Sequence, residues 1–560
     1  MAGLPIPESY LPPRELWPDK LYTLPEYQNI PDKLNVTAEI LDRNLELGRG
    51  DRVAIYVDDK RITYNELVEQ VNRIGSALQG IGVESPDRVM IRCPNIPEAV
   101  IANFAILKIG GVSVPTSPML AEKEVAYVAN NCEAKVIFVF APLLEPVAKA
   151  RPNFQTVTHV VVIGGNPDEI RSQGFIPWTD FLNQGSDKLE PVLRNRLDVA
   201  LLLYTSGTTG MPKGTVKFVE DPILVADGYG KYCWRITEDD VVGGPAPLAF
   251  AAGYATAGII PYRYGAGASL IARFTPEQMF ENIQNHRMTI TSILPTAYRQ
   301  MLRIPDAEKK YDLSSLRMCT GGGEALGEET FKAWKDRFGL EIYEGLGTTE
   351  MMYVFITNAV NLKAKGGSMG QVVPGYEARV VDDEGNEVPP NTEGYLQARG
   401  PTGTLYWRPY EDDNRLLEEQ KQAVRNGWCQ TGDVVTMDED GYFWFVSRAS
   451  EMIKTSGYRV GPEEIEEALM QHPAVLDCGV IGVPDELRGE VVKAYVTLKE
   501  GFTWSDELAE EILEFLKGRI AIYKLPRAFE VIEQIPRTPT GKILRRILRD
   551  REKAKQEASD

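Results

Sequence analysis

The sequence predicts an α/β protein: a large N-terminal domain of two layered α/β subdomains plus a β-rich subdomain, followed by a small C-terminal α+β domain. Three observations carry this. Helical and strand patterns alternate from about residue 37, the arrangement that parallel layered sheets require. Glycine and valine then concentrate in GQVVPGYEARVVDDEGNEVPPNTEGYLQARGP (370–401), where DEG and NTEG read as hairpin turns. A third pattern fills the last 110 residues or so, and a chain of 560 residues is too long for one ordinary core.

In the first stretch, NELVEQVNRIGSALQGIG (65–82) reads as an amphipathic helix, DRVMIRC and AKVIFVF as strands, and VSVPTSP as a short strand. Between them lies IPEAVIANFAILKIGG, in which Val100, Ile101, Phe104, Ala105 and Leu107 recur at helical spacing and Gly110 and Gly111 end the run. A second α/β stretch runs from about 197 to 350. The C-terminal pattern reads as helix PEEIEEALMQH, strands VLDCGVIGV and VVKAYVTL, helix SDELAEEILEFLKGRI and a strand near RAFEVIE. REKAKQEASD (551–560) is charged without an apolar face, and a frayed, solvated tail is expected there.

Composition narrows the function. Lys plus Arg total 61 against 80 for Asp plus Glu, a net charge of −19 that repels a polyanion over most of the surface and argues against nucleic-acid binding. An anionic small molecule can still bind through local donors. The six cysteines are scattered, with no C-x-x-C pair and no clustered histidine, which argues against a zinc site and for reduced, buried thiols. The start, MAGLPIPESYLPPREL, lacks the pattern of a signal peptide, and no run of about 18 apolar residues suggests a membrane span. The cytoplasm is the expected compartment. A homodimer stays open.

The strongest local signal is LDVALLLYTSGTTGMPKGT, an apolar strand running into Thr205, Ser206, Gly207, Thr208, Thr209, Gly210, Met211, Pro212, Lys213 and Gly214. Three glycines let backbone amides approach a phosphate, the hydroxyls add donors, and Lys213 adds a positive charge. The loop is not a Walker A motif, which places Gly-Lys-Ser/Thr after four intervening residues; here Lys213 follows Pro212 and precedes Gly214.

This ten-residue segment resembles the phosphate-binding signature of the adenylate-forming superfamily, which includes acyl-CoA synthetases, adenylation domains and luciferases. The resemblance runs from about residue 37 to Arg546 and implies a mobile small domain, with ATP, Mg²⁺ and coenzyme A as reactants. By resemblance, GGGEAL (Gly321 to Leu326), with Gly322, Gly323, Glu324 and Ala325, matches the adenine-side loop. YEGLGTTEM supplies Glu344, Gly345, Leu346, Gly347, Thr348 and Thr349 on the nucleotide, and Glu350 as the ligand to magnesium. Asp433 of TGD resembles the ribose-binding acid and Arg448 the arginine on phosphate or ribose. Lys542 in PRTPTGKILRR takes the place of the family's adenylation lysine, with Lys213 and Thr205 assisting. Gly457, Tyr458 and Arg459 fall in the segment that turns toward CoA.

The resemblance also implies a division into residues 1–448, a hinge at 449–451 and a small domain at 452–560. It departs from the family at the hinge, where R-x-D-[DE] is usual and this chain has Arg448, Ala449, Ser450 and Glu451, so that Ser450 replaces an aspartate. The acid's pocket falls to PLAFAAGY, ILPTAYRQM and the two glycine loops, which give Phe250, Ala251, Tyr254, Ala297 and Gly322. Adenylation domains for amino acids carry an acid just after that aromatic; Ala251 here favours an uncharged tail. The wording of several segments is most similar to the benzoate and 2-aminobenzoate CoA ligase branch. The resemblance thus implies an AMP-forming acyl-CoA synthetase for an aromatic or small-to-medium uncharged acid. Loading of a carrier protein and a non-catalytic nucleotide binder are the alternatives.

Overall fold

A computed structural model describes residues 6–205, 211–411, 414–455, 458–485, 488–517, 519–537 and 543–557. The chain falls into two compact units, Met1–Ala378 with Ala398–Gln430 and Arg379–Gln397 with Thr431–Asp560.

The first unit holds two large sheets. In the seven-stranded sheet a parallel series runs through Ile176–Pro177, His159–Ile163, Ala134–Phe140, Arg88–Arg92 and Val112–Pro115 to β1 (Val199–Thr205), and β2 (Lys213–Phe218) closes the edge antiparallel to β1. The nine-stranded sheet includes β3 (Val241–Gly243), β4 (Ile290–Ile293), β5 (Met318–Gly322) and β6 (Ile342–Gly347), adjacent and parallel in that order. These strands read as near-continuous apolar runs because helices cover both faces of a parallel sheet.

Local chemistry sets the helices. Thr63 and Glu66 form a reciprocal capping box at the head of Tyr64–Gly80, with Glu66 Oε2 accepting from Thr63 N at 2.7 Å. Pro97 opens the helix Pro97–Lys108, which is buried from Ala99 to Lys108. Being apolar on every side, it belongs in the interior, where the ammonium of Lys108 pairs with Asp42 at 2.7 Å. Each element expected between residues 65 and 140 is present.

The second unit contains the last strands of the β-rich region and the C-terminal α+β part. β7 (Trp428–Met437) enters it at Thr431 and pairs antiparallel with β8 (Phe443–Arg448). A further sheet is ordered Tyr458–Val460, Ile453–Thr455, Gly489–Leu498, Val475–Asp485, with Ala528–Val531 parallel to Gly489–Leu498. Helices α1 (Pro462–Met470) and α2 (Asp506–Lys517) bury Ile465, Leu469, Ile512 and Leu516 in its core. The expectation of a frayed tail is corrected for residues 551–557, through which α3 (Arg545–Glu557) continues. Its charges are used in pairs with distant residues, Glu552 with Lys493 at 2.8 Å and Arg551 with Glu530 at 3.0 Å. No helix among the described residues is long and apolar enough to cross a membrane, and all six cysteines are free and buried.

Candidate active site

Four of the segments singled out in the sequence follow the C-terminal ends of the neighbouring strands β3 to β6, the end of an open parallel sheet where ligands bind. Phe250, Ala251 and Tyr254 lie beyond β3. Ala297 sits in helix Pro295–Leu302 after β4, Gly322 ends β5 with Gly323 next, and Gly345 to Gly347 end β6 with Thr348 to Glu350 following. Registers Gly321↔Glu344 and Gly322↔Gly345 set the last two loops side by side.

Side chains then brace these loops against one another. Glu344 Oε1 accepts from Leu326 N at 2.9 Å, and Glu324 Oε1 accepts from Thr296 N at 2.7 Å while Oε2 meets Arg299 at 3.3 Å. The glycines are required by space: a Cβ on Gly322 would stand 2.6 Å from the Gly345 carbonyl, and Gly323 has φ +91°. Thr348 Oγ1 accepts from Met351 N at 3.1 Å and shapes the turn that carries Glu350.

On the seven-stranded sheet the phosphate-loop candidates flank a hairpin in which Thr205 pairs with Lys213 across β1 and β2. Ser206, Gly207, Thr208, Thr209 and Gly210 lie outside the described residues, as do Gly457 and Lys542. Lys213 is ion-paired with Glu419, which Arg415 also holds at 2.8 Å, and its Nζ stands 5.5 Å from the Tyr406 ring centroid.

The residue that sequence reasoning missed is Lys217, also on β2. Its ammonium is fully buried, donating to the Glu350 carbonyl and to the Gly403 carbonyl at 3.3 Å, and so it joins the β1–β2 hairpin to the Glu350 turn. Burial pulls its pKa down to about 8, although the carboxylates of Asp221 and Glu350 oppose the shift. The signal was present in GTVKFV, a lysine inside an otherwise apolar strand.

Among the described residues no group of three or more His, Cys, Asp or Glu side chains could hold a metal ion by itself. The half-buried carboxylate of Glu350 enters no hydrogen bond or ion pair among those residues. That donor set fits Mg²⁺ as a partner to phosphate, since this ion keeps waters and takes one or two carboxylates plus substrate oxygens.

The acid-pocket candidates combine bulk and space. Tyr254 is fully buried with its hydroxyl on Asn103 Oδ1 at 3.2 Å, Phe250 is half-buried, and Ala251 and Ala297 are buried small residues.

In the second unit Asp433 and Arg448 face each other across β7 and β8, with Arg448 Nη1 at 3.0 Å from Asp433 Oδ1 and at 3.0 Å from the Thr431 carbonyl. Gly432, at φ +78°, supplies the kink between Thr431 and Asp433. Ser450 is exposed, and the Ala449 N–H donates to Gly432 O at 2.9 Å. Tyr458 and Arg459 pair through their backbones with Thr455 and Lys454.

Comparison with known proteins places this geometry. The family described as AMP-binding enzyme matches residues 41–407, and the AMP-binding enzyme C-terminal domain matches residues 464–542. The chain is 36% identical over 526 residues to an acetyl-coenzyme A synthetase of Bacillus subtilis, covering 92% of this chain and 90% of that one. It is 35% identical over 525 residues to a benzoate–CoA ligase of Thauera aromatica, covering 93% and 96%. The crystal structure of the anthranilate CoA ligase AuaEII with anthranoyl-AMP superimposes with a TM-score of 0.87 at 34% identity, covering 95% of this chain and 99% of that one.

Proposed function

The chain belongs to the AMP-binding enzyme family and is an AMP-forming acid–thiol ligase that uses ATP, Mg²⁺ and CoA, and from that premise we propose that its acid is an uncharged aryl or small-to-medium acyl carboxylate. The observation that carries the choice is the character of the pocket candidates: buried Ala251 and Ala297 and half-buried Gly322 are small, Phe250 and Tyr254 bring flat aromatic rings, and no charged side chain is among them. A planar ring fits such a lining better than a charged or branched tail. Likeness to the anthranilate and benzoate ligases supports the aryl end of the range.

In this reading the nucleotide's phosphates take the backbone amides and hydroxyls of residues 205–210 together with Lys213, and Asp433 accepts from both ribose hydroxyls while Arg448 orients it. Mg²⁺, held by Glu350 with phosphate oxygens and water, would supply charge neutralisation on the departing pyrophosphate. The carboxylate of the acid attacks the α-phosphorus. Lys542, in the role of the adenylation lysine, stabilises the charge that develops there, pyrophosphate leaves, and an acyl-adenylate remains. The small domain then turns about residues 448–451, withdrawing Lys542 and bringing the Gly457 to Arg459 segment to CoA. The thiol adds to the acyl carbonyl, its proton goes to solvent, and AMP leaves as the thioester forms. Free buried thiols and the need for ATP and CoA support a cytoplasmic setting.

The test is AMP and CoA-thioester formation from ATP, Mg²⁺ and CoA with a panel of benzoates and C4 to C10 acids. A benzoate or short uncharged acid giving the highest kcat/KM supports the reading. A preference for dicarboxylates or amino acids would sink it.

A further inference from the structure

The turn that carries Glu350 is strained, and two side chains from elsewhere in the first unit hold it. Met352, two residues after Glu350, sits at φ +66°, in the left-handed region that a residue with a side chain rarely adopts. Within the turn, Thr348 Oγ1 accepts from Met351 N at 3.1 Å and Thr349 O accepts from Met352 N at 3.0 Å. These two bonds are local, and such a conformation persists only where its surroundings fix it from several sides.

The outside support falls on two consecutive carbonyls. Lys217 Nζ donates to Glu350 O, and Thr402 Oγ1 donates to Met351 O at 2.7 Å. Thr402 is only 1% exposed. Its hydroxyl has one proton, which goes to Met351, so in the 2.9 Å contact with the Tyr376 hydroxyl Thr402 is the acceptor. Lys217 also donates to Gly403 O at 3.3 Å, which ties the two supports together. Behind them, Thr404 N donates to Cys429 Sγ at 3.3 Å and Thr404 O accepts from Gln420 Nε2 at 3.0 Å. A Cβ on Gly403 would stand 2.5 Å from Pro18 Cγ. Residues 402–404 are therefore a fixed bracket.

The Glu350 side chain has no anchor of its own. Met351 and Met352 are buried, whereas the Glu350 carboxylate enters no hydrogen bond or ion pair among the described residues. A side chain without contacts takes its direction from its backbone, and the groups that hold a ligand's backbone set its aim as surely as those that touch it.

We propose that Thr402 is a positioning residue for adenylation: together with Lys217 it fixes the Glu350 and Met351 carbonyls, and so the direction in which the Glu350 carboxylate meets Mg²⁺ on the nucleotide. The inference rests on the reading of Glu350 as the magnesium ligand.

Thr402→Val keeps the shape and removes the donor, and Thr402→Ser restores it. In the full chain without ligands, hydrogen exchange in peptides covering 348–353 is expected to quicken about tenfold in Thr402→Val and to stay within about twofold of wild type in Thr402→Ser. The helix Tyr64–Gly80 should not change in either. Calorimetry with α,β-methylene ATP, in Mg²⁺ and in EDTA, then reads the ligand. Thr402→Val should lower the affinity about tenfold in Mg²⁺ and leave it within about twofold in EDTA. Equal losses in both media mark a merely structural residue, and unchanged exchange in the turn means that the hydroxyl holds nothing; either result overturns the proposal. Glu350→Gln separates the two readings. If that variant keeps the gain in affinity that Mg²⁺ gives the wild type, the magnesium reading fails and the proposal falls with it; if it loses the gain while Thr402→Val keeps it, the proposal alone falls. Thr402→Ala carries the same expectations where valine lowers the urea midpoint.

Discussion

Asp433→Asn separates a ribose ligand from a structural acid, because the two roles predict different magnitudes. The Asp433 side chain is wholly buried and pairs with Arg448 at 3.0 Å, whereas the Arg448 side chain keeps 38% of its surface exposed. Asparagine preserves the shape but offers one acceptor oxygen and turns an amide donor toward the guanidinium or the ribose. Since a guanidinium that exposed is rehydrated by solvent once unpaired, the folding cost falls well short of that of a fully buried pair, about 1 to 2 kcal/mol. The loss in binding is larger. One of two hydrogen bonds to a carboxylate disappears, about 1.5 to 3 kcal/mol, which at 1.4 kcal/mol per decade raises KM for ATP about 10- to 150-fold. The assay is acid-dependent ATP–pyrophosphate exchange at saturating acid, with a urea melt as the control for folding. Because the ribose contact is present in ground and transition states alike, kcat should change little. A folded variant whose KM for ATP stays within about twofold of wild type, or whose kcat falls at constant KM, refutes the ribose role.

Three further outcomes follow from the same geometry. Lys542→Ala should lower adenylation about 10²- to 10³-fold, as loss of one preorganised charge does, and leave thioester formation from added acyl-adenylate intact; equal loss in both steps would contradict the assignment. Lys217→Met removes a buried ammonium, so the urea midpoint should hold or rise, yet the Glu350 carbonyl loses its donor, and the Mg²⁺ concentration for half-maximal adenylation should rise about tenfold; an unchanged Mg²⁺ titration counts against that tether. Glu466 is pushed up from 4.5 to about 7 by burial, with Glu463 adding to the shift and Arg545 opposing it. The folded chain therefore binds a proton that the unfolded chain does not between those values, and the resulting stability is complete below about pH 4.5 and lost as pH rises through about 7. The thermal midpoint of the second unit should be higher at pH 6 than at pH 8, and Glu466→Gln should flatten that slope.

Much of the fold was legible because its rules are local. A capping box, proline at the first turn and a helical apolar period set out Tyr64–Gly80 and Pro97–Lys108 without reference to the rest of the chain. The C-terminal tail was misread for the same reason. Residues 551–557 show no apolar face, and what holds them helical is a set of pairs from Glu552, Arg551 and Lys555 to Lys493 and Glu530. Those partners lie on strands that no helical window contains.

The candidate site divides along the same line. The segment proposed to receive phosphate would act through its own backbone amides and local hydroxyls and so announces itself in ten consecutive residues, whereas the charged side chains around it have partners far away in sequence. Lys217 meets a carbonyl 133 positions on, Lys213 a carboxylate 206 positions on, and Arg545 a carboxylate 94 positions back. No spacing rule reaches so far, but a residual signal remains. A lysine at an inward position of GTVKFV and an arginine beside the apolar pair of KILRRIL are cations where the pattern asks for something apolar, and a buried cation must have partners. Conflict between local pattern and residue type tends to fall at functional sites. Here both conflicts adjoin segments assigned to chemistry, the Glu350 turn in one case and the Lys542 segment in the other, so the charged residues that seem out of place are the ones to substitute first when the substrate is still to be identified.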